Sequence, residues 1–331
     1  MALLKIIRDA AAMSVIAATL SAVGMGGWVH AQDRYPAKPV RVIIGFPPGT
    51  TGDVIARVIS PRLTEALGQP LLIESRPGAG SSIGAEAVAR APADGYTLLL
   101  STIANAINPS LYPNLGFDFS RDLTPIVQLA EVPALLVANP ALAATNPREL
   151  VAAAKLKPGE IVFASSGTGT VTHLYGELFN LATGVKLTHV PYKGSSQAIT
   201  DLLAGRIGLL FSPASTVIPH VKAGSLKALG VIGQSRIAAL PAVPTFAEQG
   251  IAGFESGLWF GMNAPAGTPR PIIERLNQEI IRVLALPEVR SQLAGQGVVV
   301  ATGSSEKFGA LIAAETEKWT RVVKSAGVKP E

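Results

Sequence analysis

The chain contains no cysteine. Disulfides, thiolate metal sites and cysteine nucleophiles are therefore excluded. Charge is also sparse, because Asp, Glu, Lys and Arg make up 15% of the residues while hydrophobic residues make up 48%. Such a composition is typical of a chain that buries a large core and not of a disordered one. The 331 residues are enough for two domains of ordinary size or one large one.

Clusters of basic residues are missing too, since no two are adjacent in the chain and the formal net charge is only +5. Proteins that bind nucleic acids concentrate positive charge on one face or stripe. We therefore expect no nucleic-acid partner, and at most a mild attraction for anions. The sequence has no HExxH motif and no Walker A motif, and Gly167-x-Gly169 lacks the third glycine of a dinucleotide fingerprint. Neither a metal nor a cofactor is expected.

The N-terminal segment has the three parts of a signal peptide. Lys5 and Arg8 precede an apolar stretch over 10–27, which Val29-His30-Ala31 closes with small outer residues. A membrane anchor is the alternative, but the polar residues 32–34 follow at once. We predict a signal peptide over residues 1–31 and export to the periplasm. Its removal takes away two basic residues and one acidic residue, which lowers the net charge from +5 to +4.

Strand-like and helix-like segments alternate along the rest of the chain. A β-branched strand at 39–46 leads into a helix at 53–67, which Pro61 is expected to kink or split. This alternation predicts an α/β fold with largely parallel sheets. The further predicted strands are 71–74, 97–101, 160–165, 187–192, 206–211 and 226–232, and the further predicted helices are 83–90, 148–155, 170–182, 196–203, 270–284 and 306–325.

Two apolar stretches resemble crossings between two lobes, namely VPALLVAN at 132–139 and GLWFGMNA at 257–264. Two crossings would make one lobe discontinuous. We therefore predict lobe 1 from residues 32–131 plus 256–331, and lobe 2 from residues 132–255. A ligand cleft is expected between them.

Two loops of small residues stand between a strand and a helix, one in each predicted lobe. Unpaired N–H groups at a helix N-terminus, glycines and hydroxyls together bind phosphate or carboxylate. Each loop taken alone could instead be a tight turn with an ordinary helix cap, and Asp53 could cap the helix or accept a ligand hydroxyl or ammonium. The candidate anion-binding residues are Phe46, Pro48, Gly49, Thr50, Thr51 and Asp53 in the first loop, and Ser165, Ser166, Gly167, Thr168, Gly169 and Thr170 in the second.

Other candidates belong to the walls of the cleft. His173 could donate to an anion or pack within its lobe. Lys193 could neutralise a second carboxylate or be an exposed loop lysine. His189 and His220 are interpreted as lone structural histidines. The remaining wall candidates are Ser101, Thr102, Asn105, Tyr192 and Ser212.

One motif could indicate an enzyme, because residues 80–84 fit the GxSxG pattern of hydrolases. A nucleophile elbow requires a buried strand that leads straight into the serine. The preceding residues 76–79 (RPGA) are typical of a loop, so we interpret the match as accidental. A periplasmic esterase is the enzyme alternative.

Taken together, these segments resemble the Bug-type solute receptors of tripartite tricarboxylate transporters over nearly all of the chain after residue 31. The resemblance implies a two-lobed, type II-like periplasmic binding fold without catalytic activity, whose two loops pinch a ligand carboxylate. It also implies partnership with a small and a large membrane subunit, and a monomer is expected. A sensory receptor for a membrane signalling partner is the other possibility. The matching segments are YPAKPVRVIIGFPPG, DVIARV, ESRPGAG, APADGYTLLLST, ASSGTGTVTHL, HVPYKGSSQAITDLLAGRI, PHVKAGSLKALGV, LPAVPTFAEQG and WFGMNAPAGTPRPIIERLN.

Two positions depart from the pattern of that family. Thr50 follows Gly49 where the family usually has a second glycine, so a positive φ there would strain a β-branched residue. Ser212 stands where the family often has Asp. One negative group fewer is expected to suit a ligand without an ammonium group.

Overall fold

The computed structural model describes residues 35–112 and 114–329. The predicted signal peptide lies outside the described residues. Every element below belongs to one compact unit, Lys38–Glu331. None of the helices in the described ranges is both long and apolar enough to cross a bilayer.

Strands and helices are numbered in chain order. The strands are β1 (Val40–Ile44), β2 (Leu71–Ser75), β3 (Thr97–Thr102), β4 (Leu123–Val132), β5 (Ala134–Ala138), β6 (Val162–Ser165), β7 (Thr188–Pro191), β8 (Leu209–Pro213), β9 (Lys227–Ile232), β10 (Leu258–Pro265) and β11 (Val299–Val300). The helices are α1 (Thr51–Leu67), α2 (Ser82–Ala89), α3 (Ile103–Leu111), α4 (Phe119–Asp122), α5 (Pro147–Leu156), α6 (Val171–Thr183), α7 (Ser195–Leu203), α8 (Ala214–Lys222), α9 (Arg270–Leu284), α10 (Pro287–Gly295) and α11 (Ser305–Ala326).

The strands form two mixed sheets, one in each lobe. The first has the order β11-β4-β10-β3-β1-β2 and the second the order β7-β6-β8-β5-β9. In the first sheet β10 runs antiparallel to β3 and β4, and the edge strand β11 runs antiparallel to β4. In the second sheet β5 runs antiparallel to β8 and β9. The chain enters β5 directly after β4 and enters β10 on its return, so β5 and β10 each follow a passage between the sheets. The predicted two-lobed α/β fold is confirmed, whereas the exact lobe bounds remain a prediction.

Most predicted elements lie within a few residues of the observed ones, because their apolar positions follow a clear helix or strand period. Helix α9 matches its predicted range residue for residue. Helix α1 continues through Pro61 without interruption, so the predicted split is wrong. Helices α3, α4, α8 and α10 were not predicted, and α3 and α8 each contain an internal proline.

The C-terminal helix α11 joins the two halves of the molecule. It packs against α3 and β4 on one side and against α6 on the other. Trp319 is completely buried, and its ring meets that of Tyr175 edge-on with centroids 5.6 Å apart. The indole Nε1 of Trp319 donates to Glu315 Oε2 at 2.8 Å. Through the contact between Trp319 and Tyr175, α11 connects the first sheet with α6, the helix that follows the second candidate loop.

Candidate functional site

The two predicted loops meet at one cavity between the lobes. Its volume is about 400 Å³, and the N-terminal residues of both α1 and α6 line it. Helix α3 forms another of its walls. The described lining residues are Phe46, Thr50, Thr51, Gly52, Gly80, Thr102, Ile103, Ala104, Ile107, Asn108, Leu111, Tyr112, Thr168, Gly169, Thr170, Val171, Leu258 and Phe260.

In the first loop, the left-handed backbone conformation falls on Gly49, whose φ is +82°. Thr50, the N-cap of α1, has an extended backbone with φ −75° and ψ 163°. The expected strain at Thr50 is therefore absent, and a threonine there costs nothing in backbone energy. Its hydroxyl donates to the carbonyl of Pro47 at 2.9 Å, which ties the loop back on itself.

Asp53 braces this loop from within the first turn of α1. Its Oδ2 accepts from the Gly49 N–H and from Arg57 Nε, each at 2.9 Å. The hydrogen bond from Arg57, with that from Gly49, keeps the pKa of Asp53 below its ordinary value despite burial. The interpretation of Asp53 as the helix cap is wrong, because Thr50 occupies the N-cap position and Asp53 reaches back past it. The carboxylate fixes the glycine whose positive φ shapes the turn.

In the second loop, hydroxyl groups hold one another in place. Ser166 Oγ lies 2.9 Å from Thr172 Oγ1, and Thr170 Oγ1 donates to the Gly167 carbonyl at 2.7 Å. Thr170 is the N-cap of α6. Gly167 and Gly169 have φ of +138° and +74°, where a side chain would be strained. The loop is thereby preformed, with the first N–H groups of α6 left without partners inside the helix.

Two stacked histidines support the second loop from behind. The rings of His173 and His189 lie 3.7 Å apart, centroid to centroid, and within 11° of parallel. The Gly169 N–H donates to His173 Nδ1 at 3.1 Å, and His189 Nε2 lies 2.7 Å from Ser165 Oγ. Burial, together with the neighbouring His173, lowers the pKa of His189 to about 4. The interpretation of His189 as a lone histidine is therefore wrong, and both rings hold loop atoms in this structure.

The wall that α3 provides was not predicted from the sequence. Ile103, Ile107 and Leu111 recur every four residues and point to one side of the helix, a spacing that could have revealed it. Leu111 also meets the second loop, since a Cβ added to Gly169 would lie 3.3 Å from Leu111 Cδ1. The wall therefore spans the gap between the two helix N-termini.

Asparagines of α3 hold a left-handed turn at the edge of the cavity. Ala79, Gly80 and Ser81 have φ of +44°, +59° and +82°. Asn108 Nδ2 donates to the Gly80 carbonyl at 2.7 Å, and Asn105 Nδ2 donates to Ser81 Oγ at 3.3 Å. These bonds keep in place a conformation that L-residues rarely adopt, and they put Gly80 against the cavity.

Several predicted wall residues serve other contacts in this structure. Ser101 Oγ donates to Asn263 Oδ1 at 2.6 Å, and Ser212 Oγ lies 2.8 Å from Thr216 Oγ1. The Tyr192 hydroxyl donates to Asp201 at 2.8 Å, and Lys193 is exposed. The predicted residues that line the cavity are Phe46, Thr50, Thr51, Thr102, Thr168, Gly169 and Thr170, and those that lie behind or beside it are Pro48, Gly49, Asp53, Ser101, Asn105, Ser165, Ser166, Gly167, His173, Tyr192, Lys193 and Ser212.

The GxSxG segment does not have the geometry of a nucleophile elbow. Ser82 is buried at the start of α2, and a short 3₁₀ turn over Ala79–Ser81 precedes it instead of a strand. Its hydroxyl accepts from Asn108 Nδ2 at 2.8 Å. Within the described ranges, no group of three or more His, Cys, Asp or Glu side chains is placed to hold a metal.

The fold and the cleft define a two-lobed solute-binding protein, and comparison with known proteins identifies its family. The family model described as "Tripartite tricarboxylate transporter family receptor" matches residues 55–328. The chain therefore belongs to this family of periplasmic solute-binding receptors, as the sequence resemblance predicted. Protein BugT of Bordetella pertussis is 39% identical over 319 residues, which cover 96% of this chain and 98% of BugT.

Solved structures of the same kind carry small acids. A Rhodopseudomonas palustris protein, MatC with bound malate, is 31% identical with a TM-score of 0.70, and the match covers 87% of this chain and 100% of MatC. An R. palustris protein with adipate is 35% identical with a TM-score of 0.73, covering 90% of this chain and 100% of that protein. At this coverage, both matches include residues of both sheets.

Proposed function

We propose that this protein captures a small carboxylate in the cavity between its lobes and delivers it to membrane subunits of a tripartite transporter. The observation that carries the proposal is that the N-terminal residues of two helices, α1 and α6, line one cavity. Each terminus offers N–H groups without intrahelical partners and the positive end of a helix dipole. The adipate- and malate-bound relatives support an acidic ligand.

Binding from both sides explains how a ligand would close the cleft. A carboxylate has two oxygens, and each can accept from one helix terminus. The bound group then links the lobes, and exclusion of water strengthens every hydrogen bond to it. The hydroxyl of Thr168 supplies a further donor at the same place. The remaining cavity wall would select the body of the ligand.

A receptor without catalytic activity fits this site better than an esterase. Ser82 is buried and faces Asn108, and no strand leads into it. The apolar segment 10–27 supports export to the periplasm, where family members meet their solutes. Ser82→Ala is accordingly expected to leave ligand affinity unchanged within about twofold.

Helix N-termini can be tested by proline substitutions that remove one N–H each. Proline is tolerated at the first helical position. The residue before a proline prefers an extended backbone, and Thr50 and Thr170 both have one. Thr51→Pro and Val171→Pro should therefore keep the helices and lose one donor to the ligand. Thr51→Ala and Val171→Ala change the same side chains and retain the N–H, so they are the matched controls.

The measurement is a thermal-shift screen of small acids with their amides and esters, followed by calorimetry of each hit. An acid at a hundredfold excess over Kd stabilises the native state by about 2.7 kcal/mol. Each proline variant should weaken acid binding by roughly tenfold or more, since a hydrogen bond to a charged group contributes about 1.5–3 kcal/mol, and each alanine variant should bind more tightly than its proline partner. Equal binding of acids and amides, or equal loss in the proline and alanine variants, would contradict carboxylate capture by the helix termini.

A further inference from the structure

The wall of the cavity carries no ionised side chain. Among the eighteen described lining residues there is no Asp, Glu, Lys, Arg or His. Most of the wall away from the two helix termini is aliphatic or aromatic, as with Ile103, Ile107 and Phe260. The polar side chains that line the cavity at α3 are those of its N-cap Thr102 and of Asn108, and both are neutral.

The cations of the segments around the site, Arg57 and Lys193, do not line the cavity. Arg57 binds Asp53 at 2.9 Å, and 58% of its side chain is exposed. Lys193 is exposed on the loop after β7 and does not line the cavity. The helix termini can therefore satisfy one carboxylate, and no cation lines the wall for a second.

We infer that this receptor prefers monocarboxylates with an apolar, aliphatic or aromatic body over dicarboxylates of the same body. This inference rests on the proposed function and names the class of ligand for the same site. One carboxylate binds the helix termini, and the body packs against α3 and Phe260. A second carboxylate would lie against hydrocarbon without a partner, and burying an unpaired charge is costly. With about 400 Å³, the cavity is at the small end of ligand sites, so the acid is small.

Matched pairs of acids test this preference on the mature protein, unfolded and refolded to remove any ligand from expression. The pairs are hexanoate with adipate, butanoate with succinate, and benzoate with terephthalate, and hexanamide and benzamide serve as neutral controls. Calorimetry should show that at least one monoacid binds about tenfold or more tightly than its diacid, and that the amides do not bind.

The outcomes separate the inference from the proposed function. If each diacid binds as tightly as its monoacid or more tightly, the preference is wrong while carboxylate capture stands. Loss of that diacid binding in Lys193→Met would then identify the cation that reaches the ligand after closure. If amides bind as well as acids, carboxylate capture itself is wrong. If no acid in the panel binds, the inferred ligand class is wrong.

A designed charge provides the converse test. Ala104 lines the cavity from the first turn of α3 and is only partly buried, so a longer side chain has room to extend. Ala104→Lys should shift the ratio of diacid to monoacid affinity toward the diacid by about tenfold, because it supplies the missing partner. Ala104→Met has similar length without the charge and should leave the ratio unchanged. An equal ratio in both variants would argue against an uncharged wall as the source of the preference.

Discussion

At the scale of single residues, hydrogen bonds behind the loops decide their shape. Thr50 is unstrained because Gly49 takes the positive φ, and Asp53 holds the Gly49 N–H. Gly169 is held in the same way by His173. Asp53 and His173 were candidate ligand contacts, but in this structure each accepts a hydrogen bond from a glycine that shapes its loop. The donors that remain for a ligand are mainly those of the backbone.

His189 makes the stability of the protein depend on pH. Because burial lowers the pKa of His189 to about 4, the unfolded chain, with a histidine pKa near 6.5, binds the proton first. The free energy of unfolding is therefore highest above about pH 6.5, falls as the pH is lowered toward 4, and has no further loss from this group below that. The loss is at most about 3 kcal/mol, at 1.36 kcal/mol for each pKa unit.

His189→Gln should flatten this pH dependence, since glutamine keeps a polar contact for Ser165 and does not titrate. His220→Gln, on α8 and outside the pair, should retain it. Urea unfolding at pH 7, 6, 5 and 4 measures the difference. The same loss of stability in wild type and His189→Gln would show that another group is responsible.

At the scale of elements, α3 has two tasks. One face supplies the apolar wall of the cavity, and its asparagines hold the left-handed turn over Ala79–Ser81. The turn packs Gly80 against Asn108, where a Cβ would lie 3.0 Å from the amide oxygen. Wall and turn are therefore coupled through one helix.

Relief of this left-handed turn should stabilise the protein. Ala79 is exposed and has φ +44°, so Ala79→Gly removes backbone strain without loss of buried contacts. We expect a gain of about 0.5–1 kcal/mol in the free energy of unfolding. Ala87→Gly, inside α2, should instead lose about 0.5–1 kcal/mol. Chemical denaturation of both variants checks the opposite signs, and a similar loss in both would mean that the turn is not strained.

At the scale of the whole molecule, the two passages between the sheets lie side by side. The Gly257 N–H donates to Glu131 Oε1 at 2.6 Å, and burial, the largest influence, raises the pKa of Glu131. A Cβ on Gly257 would lie 2.5 Å from the carbonyl oxygen of Val132. The close approach of the two chain segments therefore depends on glycine at this position.

Gly257→Ala should separate these two segments and disturb both stability and closure. We expect a loss of about 1–3 kcal/mol in unfolding free energy, as in other overpacked sites, together with weaker ligand binding. Gly295→Ala is the control, because a Cβ there meets nothing within 4 Å, and it should change stability by no more than about 0.5 kcal/mol. Denaturation, calorimetry and small-angle scattering with and without ligand measure these effects. Indistinguishable behaviour of the two variants would contradict the role of Gly257.

Local patterns in the sequence were sufficient to predict the α/β class, most elements and the two loops that meet at the cavity. Helix α9 and the loop before α1 show why, since apolar period, glycines and hydroxyls act over a few neighbouring residues. Tertiary structure alone decided that β10 lies between β3 and β4, that α3 closes the cavity, and that Ser101 and Ser212 turn to other partners. These features depend on contacts between residues far apart in the chain. Burial and the choice of hydrogen-bond partner are decided by the whole fold, so the local spacing of apolar residues does not predict them.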